Sequence, residues 1–359
     1  MTSLFDYLTW RGDLPLERVP LCPVDALILS ELSYVHFGPL IPEQGSVPIG
    51  RAAEGYLAAP AQKRGRCRCE EDLKLLEALK AAPRFSGLGL SRYEDRFIPE
   101  EETQFGAMTV LLPDGSAFLV FRGTDATLVG WKEDFNMSFR DAVPAQLAAA
   151  DYVRRFAARF HGPLRLGGHS KGGNLSIFAA VSCPGKVRDR ILEVYSFDGP
   201  GFTPYLLSQP GYQELLTRIF TFVPQSSVVG MLLDRKEPYT VVRSGRVGVL
   251  QHDPYAWEVL GGGFVEVEEV TPGSRMADRA LTAWLAGLTS EQREQVVDTV
   301  YDLLSSGDAS LLEETFQPQN LAAILRALKD TPGKDLLAVT DSLGRLIRSA
   351  AQVLREENL

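Results

Sequence analysis

The chain of 359 residues has no excess of positive charge, because 37 Lys and Arg residues stand against 46 Asp and Glu residues and leave a net charge of −9. A protein that binds nucleic acid needs basic side chains to neutralise phosphates, so this composition excludes nucleic acid as a partner. No apolar run approaches the roughly 18 residues of a membrane-spanning helix. The first residues also lack a basic stretch followed by an apolar one, so we expect no signal peptide and a cytoplasmic location.

Cysteine is scarce as well, with four residues at Cys22, Cys67, Cys69 and Cys183. One residue separates Cys67 from Cys69, whereas zinc sites usually combine two pairs of Cys or His ligands at characteristic spacings. The sequence offers no second pair at such a spacing. We therefore expect free thiols in a reducing cytoplasm, with neither a metal ion nor another cofactor.

Apolar runs alternate with amphipathic segments through the first two thirds of the chain. The runs at 104–112 and 116–121 flank Pro113-Asp114-Gly115, which predicts a hairpin. Residues 144–161 have the spacing of an amphipathic helix. Further apolar runs predict strands at 164–166, 191–197, 218–223 and 239–243. The alternation predicts an α/β fold with a mostly parallel central sheet flanked by helices.

The composition changes after Thr271-Pro272-Gly273. From residue 276 onward nearly every segment has helical spacing of its apolar residues, which predicts a bundle of about four helices. Breaks in this pattern occur at Gly307, at Gln317-Pro318 and at Thr331-Pro332-Gly333. We therefore divide the chain into an α/β domain over residues 1–270 and a C-terminal helical region over residues 271–359.

The segment Gly168-His169-Ser170-Lys171-Gly172-Gly173 lies between an apolar run and a helix-forming run of small residues. A strand, a sharp turn and a helix in this order form a nucleophile elbow, whose central serine has a strained backbone and needs neighbours without bulk. The pattern therefore predicts Ser170 as a nucleophile. A Ser–Lys mechanism uses a lysine three residues after the serine, and that position is Gly173 in this chain. We expect the side chain of Lys171 to face solvent or an anionic group of the substrate.

A serine hydroxyl becomes a strong nucleophile only beside a base, and the base needs an acid to orient it. The chain contains four histidines, so the base can be sought by elimination. In α/β-hydrolases the chain order is serine, acid, histidine, and only His252 follows Ser170 at a distance. The remaining histidines, each with a structural interpretation, are His36, His161 and His169.

Three carboxylates compete for the role of the acid. Asp198 directly ends the strand after the elbow helix, at the sheet edge where the elbow opens, and is favoured for that reason. Asp234 lies one strand later among charged neighbours that resemble a solvated turn. Asp253, beside the predicted base, is a third option.

An oxyanion hole needs two backbone N–H groups near the nucleophile. One is expected from Lys171, the residue after the nucleophile, and the other from a loop after an earlier strand. The apolar run that ends in Phe121-Arg122-Gly123-Thr124 fits this loop, with Thr124 as the donor.

These motifs resemble a known family. Phe121-Arg122-Gly123-Thr124, followed by Trp131 and Asp134, is similar to a signature of the class 3 (fungal-type) lipases, and the elbow around Ser170 is similar to theirs. The chain as a whole resembles a bacterial family of uncharacterised α/β-hydrolases related to those lipases. Its marks are Phe197-Asp198-Gly199-Pro200-Gly201-Phe202, the segment from Pro224 to Leu233, and Gln251-His252-Asp253-Pro254.

One departure concerns the acid. Class 3 lipases carry it after a later strand, where this chain has Ser226-Ser227-Val228-Val229 and no carboxylate. Pancreatic-type lipases place it directly after the strand that follows the elbow, and Asp198 matches that position. The resemblance thus supports Ser170 and His252, while the acid is inferred.

The resemblance implies a serine hydrolase that cleaves a carboxylic ester through an acyl-enzyme. An acyltransferase or a thioesterase would use the same residues, and a binding module on a hydrolase fold is the alternative from another class. The expected partner is a small ester or a lipid, with transient contact to a membrane surface possible. Residues 38–65, interpreted as loop, and residues 202–207 are candidates for a lid.

Overall fold

The computed structural model describes residues 2–60, 63–125, 127–306 and 318–357. Its strands are β1 (Val47–Pro48), β2 (Gly89–Ile98), β3 (Thr103–Leu111), β4 (Ala117–Phe121), β5 (Leu164–His169), β6 (Ile191–Phe197), β7 (Ile219–Pro224), β8 (Tyr239–Val242), β9 (Val259–Leu260), β10 (Gly263–Phe264) and β11 (Glu266–Val267). Its helices are α1 (Leu4–Arg11), α2 (Pro23–Leu32), α3 (Ile49–Ala58), α4 (Glu70–Ala81), α5 (Pro83–Ser86), α6 (Leu128–Asn136), α7 (Pro144–Ala157), α8 (Lys171–Ser182), α9 (Gly185–Arg188), α10 (Pro204–Leu207), α11 (Pro210–Leu215), α12 (Pro272–Ala286), α13 (Ser290–Leu304), α14 (Pro318–Asp330) and α15 (Gly333–Glu357).

Nine strands form one large mixed sheet in the order β1-β2-β3-β4-β5-β6-β7-β8-β11. Adjacent strands from β4 to β8 pair in parallel. Adjacent strands from β1 to β4 pair antiparallel, as do β8 and β11. The prediction of a mostly parallel sheet is therefore wrong for half of the strand pairs. It missed β2, whose charged residues obscure the strand pattern and are held by ion pairs such as Asp95 Oδ1 to Arg122 at 2.6 Å.

Strand β4 shows how helices cover both faces of this sheet. Phe118 and Val120 join a core that includes residues of α2 and α4, while Leu119 and Phe121 join a second core with residues of α7 and α8. This alternation is the period of two that an extended strand imposes. The result is an α/β fold, with the sheet between two layers of helices.

Helix α3 corrects the interpretation of residues 38–65 as loop. Its small residues, with Gly50 and Gly55 among them, resemble loop composition, yet Ile49, Ala53 and Tyr56 form one buried face. Helix α7 begins at Pro144 as predicted, because proline suits the first turn of a helix.

The described part of the C-terminal region consists of helices α12 to α15 and short connecting turns. Helix α15 packs against α12 and α13, and α13 also packs against α6. Helix α14 ends at Asp330 and α15 begins at Gly333, at a predicted break, whereas the predicted breaks at Gly307 and Gln317 lie outside the described residues. None of the described helices combines the length and apolar character needed to cross a membrane.

Candidate functional site

Ser170 lies at the turn between β5 and α8. Its backbone has φ 57° and ψ −131°, a conformation that side chains rarely adopt and that the surrounding structure must enforce. The Ser170 N–H donates to the carbonyl of Phe197 at 2.9 Å. An added Cβ on Gly172 would approach the carbonyl oxygen of Phe121 to 2.1 Å, so the turn requires glycine there. The local geometry is that of a nucleophile elbow.

His252 and Asp198 are in direct contact, because Nδ1 of His252 lies 2.6 Å from Oδ2 of Asp198. A carboxylate accepts hydrogen bonds, so Nδ1 carries the proton and Nε2 keeps a free lone pair. Asp198 follows β6 and is fully buried, while about 30% of the His252 side chain is exposed. This arrangement can orient an imidazole and stabilise it when it takes up a proton.

Two further groups hold the other oxygen of Asp198, and the sequence analysis did not identify them. The hydroxyl of Ser227 donates to Oδ1 at 2.5 Å, and the N–H of Gly230 donates to it at 3.1 Å. A Cβ on Gly230 would lie 2.2 Å from the same oxygen. The sequence feature that could have indicated these contacts is the segment around Ser227, at the place where class 3 lipases have their carboxylate.

The other candidate acids and histidines lie in different surroundings. The side chain of Asp234 is exposed, and its backbone pairs with Phe202. Asp253 contacts Arg246 at 3.0 Å, and its carboxylate accepts a hydrogen bond from the N–H of Tyr255. His36 contacts Asp95 at 2.6 Å, and His161 is exposed after α7. Within the described residues, Asp198 is thus the carboxylate that contacts His252.

Thr124 and Lys171, the predicted oxyanion donors, line one cavity with Ser170 and His252. Lys171 is the first residue of α8, so its N–H has no acceptor within the helix. The hydroxyl of Thr124 is engaged by Asp134 Oδ2 at 2.6 Å, which leaves the Thr124 backbone as the donor to consider. Burial raises the pKa of Asp134 to about 6, although Lys171 and Thr124 counteract this shift.

The side chain of Lys171 is buried, which overturns the expectation that it faces solvent or substrate. Its ammonium contacts Glu133 Oε2 at 2.9 Å and donates to the carbonyl and side-chain oxygens of Gln104 at 2.9 and 2.8 Å. Lys171 and Glu133 are both within 1% of complete burial. The lysine therefore ties the elbow to α6 and β3 in a structural ion pair.

His169 points away from Ser170, as strand alternation predicts, and contacts His252 from behind. Its Nε2 lies 2.8 Å from the carbonyl oxygen of His252, and the two rings pack with centroids 4.6 Å apart. Its Nδ1 faces the Tyr34 hydroxyl at 3.0 Å, Arg68 at 3.4 Å and Glu31 at 3.5 Å. Burial lowers the pKa of His169 and favours the neutral ring.

The cavity beside Ser170 has a volume of about 520 Å³. Its polar lining residues include Thr124, Ser170 and His252. The remaining wall is mostly apolar and includes Trp131 and residues of α12. Elsewhere, no group of His, Cys, Asp and Glu suited to a metal ion occurs among the residues covered by the structure, and all four cysteines are free.

A family model described as Mbeg1-like matches residues 79–302, which is more than half of the chain. The matched range contains the elbow, Asp198, His252, helix α12 and most of helix α13. A search of the curated proteins found no match.

Among solved structures, the chain is similar to the Rhizomucor miehei lipase propeptide complex, at 14% identity and a TM-score of 0.33 over 46% of this chain and 58% of that one. It is similar to M37 lipase at 16% identity and a TM-score of 0.37, over 57% and 68% of the two chains. It is also similar to a mutant form of MDLA from Penicillium cyclopium at 13% identity and a TM-score of 0.40, over 67% and 83%. The chain thus spans less than two thirds of the Rhizomucor miehei structure, and likenesses this distant say nothing about substrate.

Proposed function

This chain belongs to the Mbeg1-like family, and we propose that it is a serine hydrolase that cleaves a carboxylic ester. The observation that carries the proposal is the 2.6 Å contact between His252 and Asp198, with His252 lining the same cavity as the strained Ser170. A buried carboxylate at Nδ1 of a partly exposed imidazole is the arrangement that activates a serine hydroxyl.

In the proposed reaction, Oγ of Ser170 bonds to the ester carbonyl carbon while Nε2 of His252 takes the hydroxyl proton. The tetrahedral intermediate then breaks its bond to the alcohol oxygen, which leaves with the proton from His252. A water molecule attacks the acyl-enzyme with the same proton transfers in reverse, which releases the acid and restores Ser170. Asp198 orients His252 and stabilises the imidazolium in both halves.

The N–H groups of Thr124 and Lys171 are the proposed donors to the oxyanion. Removal of one such donor typically costs about 3–4 kcal/mol of transition-state stabilisation. Asp134 braces the Thr124 loop, since it accepts a hydrogen bond from the Thr124 hydroxyl. Trp131 has a structural role beside it, as part of the cavity wall.

The mechanism uses no cofactor, and the substrate is a small ester or a lipid, reached in the cytoplasm or through transient contact with a membrane surface. The division into a catalytic domain over residues 1–270 and a helical bundle over residues 271–359 is part of this proposal.

The test is hydrolysis of p-nitrophenyl butyrate by the full chain and by single-site variants. Ser170→Ala and His252→Gln should lower kcat by about 10⁶, because the nucleophile and the base act as one unit. Asp198→Asn should lower kcat by about 10⁴, because the wrong tautomer of histidine then faces the serine. Asp234→Asn is the matched control and should retain the wild-type rate.

Equal activity of Asp198→Asn and wild type, or loss of activity in Asp234→Asn alone, would overturn the assignment of the acid. A butyryl thioester and an alcohol acceptor in parallel assays separate esterase, thioesterase and acyltransferase action. If circular dichroism shows that wild type is folded, and it cleaves none of these acyl substrates, a binding module would be favoured.

A further inference from the structure

Helix α12 contributes a wall of the cavity beside Ser170, although it lies about a hundred residues further along the chain. Leu281, Trp284 and Leu285, spaced along one face of this helix, line the cavity. Positions three and four apart lie on the same face of a helix, so the three side chains form a continuous apolar surface. The cavity therefore combines groups of the sheet domain and of the C-terminal region.

The start of α12 is attached to the segment that holds Asp198. The hydroxyl of Ser274 donates to the carbonyl of Ser227, and the N–H of Thr271 donates to the carbonyl of Gln225 at 2.6 Å. Ser227 itself donates to Asp198. These contacts fix the position of α12 relative to the candidate acid.

Trp284 is also fixed from the other side. Its indole Nε1 donates to the carbonyl and hydroxyl oxygens of Ser342 on α15, at 2.9 and 3.0 Å. These hydrogen bonds restrict the rotation of the indole. The wall is therefore preformed, and its shape depends on the size of the side chain at position 284.

The chemistry of the lining indicates what the cavity holds. Its charged residues are Lys171 and Asp134. The charge of Lys171 is compensated by Glu133, which disfavours an anionic head group. The volume of about 520 Å³ is within the range of about 300–1,000 Å³ of sites for one small ligand. An apolar slot of this size beside the nucleophile suits one extended hydrocarbon chain.

We propose that α12 forms the acyl-chain wall of the site, that Trp284 sets the accepted chain length, and that the substrate is an ester of a single medium-length acyl chain. The proposal rests on the proposed function and names its substrate class. Each buried methylene of the acyl chain should raise kcat/KM about fourfold, which corresponds to about 0.8 kcal/mol at about 1.36 kcal/mol per factor of ten. The increase should end where the chain meets the wall.

The experiment measures kcat/KM for p-nitrophenyl acetate, butyrate, octanoate, dodecanoate and palmitate. Wild type should be fastest with octanoate. Trp284→Ala enlarges the cavity and should move the optimum to dodecanoate or palmitate. Trp284→Phe should have an optimum between those of wild type and Trp284→Ala. Leu281→Trp should move the optimum to butyrate. Leu337→Ala, at an exposed position on α15 outside the cavity, is the control and should keep the wild-type profile.

Labelling of Ser170 by a small fluorophosphonate separates the two levels of the account, because it needs the activated serine and no long acyl chain. If Ser170 reacts and every variant has the wild-type chain-length profile, the acyl wall is contradicted while the hydrolase stands. If Ser170 does not react and no ester is cleaved, the proposed function itself fails. Leu281→Trp and Trp284→Phe keep the test decisive if Trp284→Ala does not fold.

Discussion

The imidazole of His169 packs against that of His252 with ring centroids 4.6 Å apart, and its Nε2 lies 2.8 Å from the His252 carbonyl oxygen. A carbonyl accepts, so Nε2 of His169 carries the proton. The residue before the candidate nucleophile thus holds the candidate base in place. His252 is the last residue of a short 3-10 helix, Gly248–His252, and a side chain on so short an element needs such contacts to stay within hydrogen-bond reach of its partners.

Replacement of His169 should therefore impair catalysis without removing a reacting group. His169→Phe keeps a ring but leaves the His252 carbonyl unpaired, which costs about 1–3 kcal/mol. We expect a fall in kcat of about tenfold or more, with His169→Gln, which can still donate, less affected. The measurement is kcat with p-nitrophenyl butyrate together with the melting temperature. A wild-type kcat in His169→Phe would show that the contact does not position His252.

Loss of the Ser227 hydroxyl should weaken the hold on Asp198. Hydrogen bonds to charged groups contribute about 1.5–3 kcal/mol, so Ser227→Ala should lower kcat by about 10-fold to 100-fold. The fall should be smaller than in Asp198→Asn, because the Gly230 N–H still donates to the carboxylate. Ser226→Ala is the matched control, since its hydroxyl contacts Thr271 instead. Equal rates in the two serine variants would refute a role for Ser227 in orienting the acid.

The buried pair of Lys171 and Glu133 should contribute to stability rather than to chemistry. Lys171→Met leaves the charge of Glu133 unpaired and should lower the free energy of unfolding by about 3–5 kcal/mol. The double variant with Glu133→Gln should recover part of this loss. Urea unfolding measures both effects, while the folded fraction should keep its activity because the Lys171 backbone is unchanged. A loss below about 1 kcal/mol would be typical of a solvated lysine and would contradict the buried pair.

Glu31, behind His169, should make stability depend on pH. Burial raises its pKa to about 7 from an ordinary value of 4.5, although Arg68 opposes the shift. The folded chain then holds a proton that the unfolded chain releases, so this contribution is complete below pH 4.5 and is lost as the pH rises through about 7. Relative to Glu31→Gln, wild type should lose stability across that window. Parallel curves of unfolding free energy against pH would contradict the shifted carboxyl.

The sequence predicted the parts of the molecule that depend on local pattern. The elbow, the strand that ends at Phe197 and the helix that begins at Pro144 follow from glycine placement, apolar runs and proline chemistry. Helix α3 was hidden by its small residues, and β2 by its charged residues, whose partners include Arg122 after β4 and Arg155 on α7. The burial of Lys171 depends on Glu133, which is distant in sequence, and nothing local to Trp284 indicates that it faces Ser170.

Labelling of the full chain with a fluorophosphonate probe, followed by mass spectrometry of the modified peptide, tests the central claim most directly. Wild type should carry the phosphonyl group on Oγ of Ser170, and His252→Gln should react far more slowly because the serine then lacks its base. Ser176→Ala replaces a buried serine on α8, and the folded variant should be labelled like wild type. Folded wild type that remains unlabelled, with and without detergent, or labelled at another serine, would contradict Ser170 as an activated nucleophile.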